Sequence, residues 1–451
     1  MKDDAGSTNV IQLSDHFDYK RLIRFTLPSV AMMVFTSLYT IVDGYFVSNF
    51  VGKTPFAALN LIYPYVQLLT CFGFIFGTGG AALIAKTLGE GNREKANGIF
   101  SFVVYVSIAS SVVLAVLGWI FLEPAARLLG AEGEMLDYCI MYGSILLFAA
   151  PVFTLQTEFP PFFVTAEKPK LGLFVTVVSG LTNMALDAIF VGVLSFGLAG
   201  AAYATVAAQL VGGVVPIVYF GRKNSSLLRL GRPRKDMKAL GRTVTNGASE
   251  VMTSVSLSLV SMLYNVQLLK FEGEDGVAAY GALMYLNFIF ISIFLGYSSG
   301  VSPVISYHYG AKNREELKGL LKKSVILIGA TSLVMLAIAE FASGPLSYIF
   351  VGYDEGLLSL TERAFFIYAF SFPFVGLAIY SSAFFTALNN GLVSAIISFL
   401  RTFFFQVVAV LVLPLIFATD GIWMSGVVSE LLAAACGALF IYSKRKKYGY
   451  L

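Results

Sequence analysis

Of the 451 residues, 57% are hydrophobic and only 13% charged, and the formal net charge is +4. A soluble chain of this size would carry about 25% charged residues, so the composition argues against a water-soluble enzyme and for a polytopic membrane protein. Three scattered cysteines (Cys71, Cys139, Cys436) and two distant histidines (His16, His308) exclude a disulfide framework and a zinc or histidine-cluster metal centre.

The first twenty residues are polar and have no apolar core of a signal peptide, so the N-terminus is expected to stay on the side of synthesis. Residues 1–24 read as a cytoplasmic N-terminal segment. A bilayer span needs about 20 apolar residues. Runs of that kind follow at 25–50, 56–86, 97–122, 135–165, 170–194 and 197–220. After a basic cytoplasmic linker, 221–238, six more follow at 239–269, 277–309, 318–343, 357–388, 391–416 and 420–443. A cytoplasmic tail, 444–451, ends the chain. Several runs are long and contain proline, including Pro28, Pro151, Pro373 and Pro414, and are expected to tilt or kink.

The charge asymmetry of the loops supports this count. With the N-terminus inside, only Lys53, Arg127, Lys270 and Arg363 fall outside, and Arg401 alone among the basic residues falls within the membrane. The linker and the "KRKK" tail are both inside, as the positive-inside rule requires. The linker reads as a contact for anionic lipid rather than for nucleic acid.

The two halves repeat. "GEGNREK" from Gly89 matches "GAKNREE" from Gly310, and Gly79 matches Gly300 at the same offset. Pro151 pairs with Pro373, and Phe162-Phe163 with Phe384-Phe385, at nearly the same spacing. Six spans per half is an even number, so both halves enter the membrane in the same direction. The expected fold is all-α, with twelve transmembrane helices in two pseudo-symmetric six-helix bundles related by an axis along the membrane normal, and the substrate site between them.

With the edges of these runs taken as soft, the acidic residues assigned to spans are Asp43, Glu158, Asp187, Glu250, Glu340 and Glu430. Each costs about 2.5–3.5 kcal/mol at the bilayer centre if charged and facing lipid, so each needs a cavity, a partner or a proton. Asp43 and Asp187 lie at similar depth, and each has a polar residue one turn below, Tyr39 and Asn183. With Thr205 from the sixth helix they form a hard-oxygen set suited to a small cation, or two acids sharing one proton. Glu250 is a candidate for substrate or proton binding. Arg401 and Glu430 are expected to form a structural ion pair. Glu158 could gate or cap a kink, and Glu340 is expected at the solvated outer end of its helix.

With these features the chain resembles the multidrug and toxic compound extrusion (MATE) family, from about Phe25 to Tyr442. The loops "GEGNREKA" and "GAKNREEL", "YTIVDGYF" in the first helix and "NMALD" in the fifth carry the resemblance. It implies an antiporter, not an enzyme, that expels organic cations or drugs against an inward sodium or proton gradient. It also implies a first-half cation site at Asp43, Asn183, Asp187 and Thr205 with Tyr39 adjoining. Glu250 matches a helix 7 acid used by another branch of that family. No cofactor beyond the coupling ion (Na+ or H+) is implied, and a monomer in the cell membrane is expected. The nearest alternative is a lipid-linked oligosaccharide flippase of the same superfamily, but its anionic substrate would call for basic residues where this interior is acidic. No G-x-x-x-x-G-K-[ST] loop is present for ATP-driven transport, and neither a G-x-G-D nor an H-E-x-x-H for a protease.

The topology is directly testable. In a background without Cys71, Cys139 and Cys436, an external impermeant thiol reagent should label Glu274→Cys and spare Lys235→Cys in sealed cells. Labelling of Lys235→Cys would overturn the span count.

Overall fold

The structure, a computed structural model, describes residues 11–352 and 354–450; the side chains of Ser48, Asn49, Lys53 and Phe350 are not described. Residues 1–10, Lys2 among them, therefore lie outside the described residues. Among the described residues, twelve helical spans are present. The first half holds α1 (Tyr19–Phe50), α2 (Thr54–Gly89), α3 (Arg93–Ile120), α4 (Gly133–Phe148 with Ala150–Thr165), α5 (Pro169–Val193) and α6 (Gly197–Gly221). The second half begins with one unbroken helical assignment, Met237–Gly310, of 74 residues. At 1.5 Å per residue that would be roughly 110 Å, far more than one hydrocarbon core. Gly273, at φ 64° and ψ −146°, breaks it into α7 (237–272) and α8 (274–310). Then come α9 (Arg314–Ile349), α10 (Glu355–Ala369 with Phe372–Ala387), α11 (Gly391–Val412) and α12 (Pro414–Tyr448).

Proline shapes the spans, as its missing N–H and ring clash require. α4 bends by 58° just before Pro151, and α10 by 54° just before Pro373, at matched places in the two halves. Pro414 opens α12 instead of lying inside α11, and a second break follows at Ala418. α1 starts at Tyr19, earlier than the apolar run suggests, because Asp18 caps it by accepting the Arg21 N–H at 2.7 Å.

The repeated loop motif has a mechanical explanation. After α2 the chain turns through Gly91 at φ 80°, and after α8 through Lys312 at φ 57°. Asn92 and Asn313 then cap the next helices, accepting the N–H groups of Lys95 at 2.9 Å and Glu316 at 3.1 Å. Glu94, Glu315 and Glu316 occupy the first turns, where a negative charge favours the positive end of the helix dipole.

The linker does not hang free. Arg93 donates to the Ser226 carbonyl at 2.8 Å, and the Arg234 N–H donates to the Gly98 carbonyl at 3.0 Å. Leu228 is fully buried against the first lobe. The segment before α1 crosses between lobes. The Leu13 N–H donates to Glu167 at 2.6 Å in the α4–α5 turn, and the Phe17 N–H donates to Glu316 at 2.9 Å on α9. Lys323 donates to the Phe17 carbonyl, and both Leu13 and Phe17 are fully buried.

The lobes close on each other at the end that carries the linker and both termini. The hydrogen bonds between lobes among the described residues lie there, including Asn389 to the Ala82 carbonyl at 3.3 Å. The two repeated glycines lie in one close pass between the lobes. A Cβ on Gly89 would meet the Tyr307 carbonyl oxygen at 2.0 Å, and one on Gly310 would meet the Lys86 carbonyl oxygen at 2.0 Å. α2 and α8 thus touch backbone to backbone at the pseudo-twofold axis. Gly310→Ala should push them apart, because overpacking costs about 1–3 kcal/mol. That corresponds to a roughly five- to 150-fold larger population opened at the linker end. The expected outcome is faster labelling of Thr26→Cys, a position only 2% exposed on α1. An unchanged rate would show that this contact does not hold the end shut.

Candidate functional site

Asp43 and Asp187 come from different helices and converge. Gly180 makes the approach possible: a Cβ there would lie 2.6 Å from Phe35 Cε1 and 2.8 Å from Tyr39 Cδ1. Its absence lets α5 press against the aromatic face of α1, which brings Asp187 beside Asp43 two turns further along. Asp187 is fully buried, Asn183 is 3% exposed and Asp43 is half-buried. Directly after Asp187 the backbone widens into a π-helix, Ala188–Val193, a form that is rare and frequent at functional sites.

The polar atoms here are unsatisfied. Both carboxylate oxygens of Asp187, Oδ1 of Asp43 and Nδ2 of Asn183 are buried without a hydrogen-bond partner of normal geometry. The Asp43 carboxylate nevertheless faces Asp187 and Asn183. Leaving one buried polar group unpaired costs about 1–3 kcal/mol, and more for a charged one. Four such atoms fall together between α1 and α5. Among the described residues no group of three or more His, Cys, Asp or Glu could hold a metal ion.

Tyr39 lies beside the pair, as its spacing predicts. Two tyrosines that sequence reasoning missed also face it: Tyr63 from α2 and Tyr142 from α4. Nothing in the local pattern marks them, because 23 tyrosines are spread through the chain. Thr205 sits half-buried on α6, which packs against α5 and α1, but no hydrogen bond joins it to the pair.

The other interior acids go elsewhere. Glu158 is fully buried inside the first lobe, with Ser107 Oγ 2.5 Å from its Oε2. Glu250 on α7 is half-buried, and its carboxylate has no partner among the described residues. Glu340 is half-buried, nine residues before the end of α9 at Ile349, with its Oε1 buried and unpaired.

Residues 28–189 and 250–412 match the MatE family, one segment in each lobe. The chain belongs to that family. Multidrug export protein MepA of Staphylococcus haemolyticus (strain JCSC1435) is 25% identical over 437 residues, spanning 95% of this chain and 94% of MepA. MepA of Staphylococcus aureus (strain MRSA252) is 24% identical over 439 residues with the same shares covered. The fold is also that of solved structures. An outward-facing multidrug resistance MATE family transporter of the MOP superfamily gives a TM-score of 0.92 at 21% identity, covering 99% of this chain and 100% of that one. A MOP superfamily transporter from Pyrococcus furiosus Vc1 (DSM3638), whose binding pocket has reversed polarity, gives 0.90 at 22% identity over 98% and 99% of the two chains.

In this MatE chain the one basic residue of the interior is already neutralised. Arg401 Nε donates to both oxygens of Glu430, at 3.1 and 2.9 Å, with the side chains 13% and 6% exposed. Arg401 sits in another π-helical turn, Leu400–Phe404. Breaking such a pair strands a buried charge and costs roughly 3–5 kcal/mol. Glu430→Gln should therefore lower the melting temperature and the yield of folded protein. Arg401→Met combined with Glu430→Leu should recover part of that loss. Purely additive losses in this double-mutant cycle would mean that the two groups do not stabilise each other.

Proposed function

We propose that this chain is a secondary antiporter of the cell membrane, with both termini cytoplasmic, that exports organic cations or drugs in exchange for sodium or protons. Three things support the reading: the family, the multidrug export proteins that resemble it along nearly their whole length, and the charge of the interior. The observation that carries it is the Asp43–Asp187 pair with its unsatisfied oxygens. Two such carboxylates cannot both hold an unscreened charge at this depth. A sodium ion between them, or one proton on the pair, relieves the repulsion, with Asn183, Tyr39 and Thr205 as the neutral ligands.

Coupling then has a physical basis. Ion entry changes the charge and hydrogen bonding between α1 and α5. That gives the ion different affinities for the two access states, without which it could not drive a cycle. The half-buried face of Asp43 is the route of entry. The substrate answers to the same negative potential, so ion and organic cation hold the site alternately. Glu250, unpaired on α7, extends the negative lining into the second lobe and is the second candidate for the substrate or a proton. A monomer is sufficient, because both lobes belong to one chain. An anionic lipid-linked substrate fits poorly, since Arg401, the lone interior base, is already paired with Glu430.

Asp43→Asn and Asp187→Asn should each abolish gradient-driven efflux of an organic cation from everted vesicles. Neither should unfold the protein, because each amide keeps the size of the acid it replaces and removes one of two like charges from a buried pair. Asn183→Ala should weaken the ion's apparent affinity by about tenfold, the worth of one neutral hydrogen-bonding ligand. Imposing a sodium gradient or a pH gradient separately identifies the ion. Efflux lost in Glu250→Gln and kept in Asp187→Asn would move the coupling site to the second lobe. Normal efflux in the Asp43→Asn, Asp187→Asn double variant would sink the mechanism.

A further inference from the structure

A cavity of 190 Å³ opens at the linker end where the lobes meet. Its walls are the last turn of α2 with Lys86 and Glu90, the first turn of α3 with Lys95, and the first turn of α7 with Asp236, Lys238 and Arg242. Two of these helices belong to one lobe and the third to the other. All three end or begin here, so the cavity lies at the level where the spans leave the hydrocarbon.

Its charge is unbalanced. Four cations face two carboxylates, and both carboxylates are already engaged. Glu90 is 3.7 Å from Lys86. Asp236 caps α7, accepting the Ala239 N–H at 3.0 Å. Lys95, Lys238 and Arg242 have no ion-pair partner among the described residues. Three unpaired cations from two lobes, converging on one hollow beside a helix start, make a local field that attracts an oxyanion. The volume is roughly that of six water molecules, enough for a tetrahedral phosphate with part of its hydration.

We propose that this hollow binds a phosphate oxyanion, from a phospholipid headgroup or from a free phosphate, and that the bound anion bridges the two lobes. The chemistry is the same for either source: a singly or doubly charged oxygen cluster held by one guanidinium and two ammonium groups. Its depth suits a headgroup, as in basic pockets between spanning helices at a cytoplasmic surface. The anion would tie α3 to α7 only while the linker end is closed, so it binds that state better and shifts the protein toward it. This is independent of which ion drives transport.

The test uses the full chain in phosphatidylcholine nanodiscs. One arm adds increasing phosphatidylglycerol and counts retained anionic lipid by native mass spectrometry; the other adds radiolabelled inorganic phosphate. Lys238→Gln with Arg242→Gln should weaken binding by about tenfold or more, since each basic group near an anionic surface is worth a factor of several. Arg222→Gln with Lys223→Gln removes the same charge from the same end outside the hollow and should leave binding within about twofold. All four side chains are exposed, so the variants should melt like the parent. Loss confined to the hollow in the lipid arm assigns a headgroup; loss in the phosphate arm assigns a soluble anion. Equal weakening in both variants, or binding in neither arm, overturns the site. Saturating anion should also slow labelling of Thr26→Cys, and an unchanged rate overturns the bridging role.

Discussion

A charge buried in hydrocarbon must find a counter-charge, a proton or water, and that single demand organises the interior of both lobes. In the second lobe it is met inside the chain. Arg401 and Glu430 neutralise each other on neighbouring helices and leave nothing for a ligand to do. In the first lobe it is left unmet. Asp43 and Asp187 are brought face to face with no basic residue near them, and the protein supplies only an amide and hydroxyls. The same cost is balanced in one place and left open in the other. The stability that holds the unmet pair together comes from elsewhere, from the packing of α1 against α5 through Gly180.

The symmetry of the halves is strict where the backbone must be special and loose where chemistry resides. Matched positions turn through positive φ at Gly91 and Lys312, and at Glu167 and Asn389, and matched bends precede Pro151 and Pro373. The ionisable side chains break the symmetry. Opposite Asp43 the second lobe holds Tyr264, which donates to Gln406 at 2.7 Å and stacks on Tyr280 at 5.0 Å. A neutral, satisfied pair occupies the place that in the first lobe is charged and open. Duplicated scaffolding with unequal contents leaves the two lobes alike in backbone and unlike in charge.

Most of the scaffold was legible in the sequence, because bilayer thickness converts apolar length directly into spans and the charge of the loops orients them. The convergence of Asp43 with Asp187 was legible for a similar reason, since two costly residues at one depth imply a common use. What escaped depended on contacts between distant segments. Tyr63 and Tyr142 reach the site from helices with no polar pattern of their own. The crossing of residues 11–18 between lobes rests on Glu167 and Glu316, which look like ordinary loop acids. The docking of the linker on α3 was hidden by its charge, which suggested only lipid. Pro414 was misplaced because a long apolar run conceals a helix start.

The contact of Gly89 and Gly310 across the axis bears on energy conservation. An exchanger is of use to a cell only if ions never cross without their counterpart. A chain of a few water molecules through the closed end would suffice to let protons hop across. Where α2 and α8 pass too close to admit a methyl group, no lumen is left for a water file. A close pass of this kind is what an exchanger would use as electrical insulation. A breach there would show itself first as a membrane that discharges, and only later as a pump that fails.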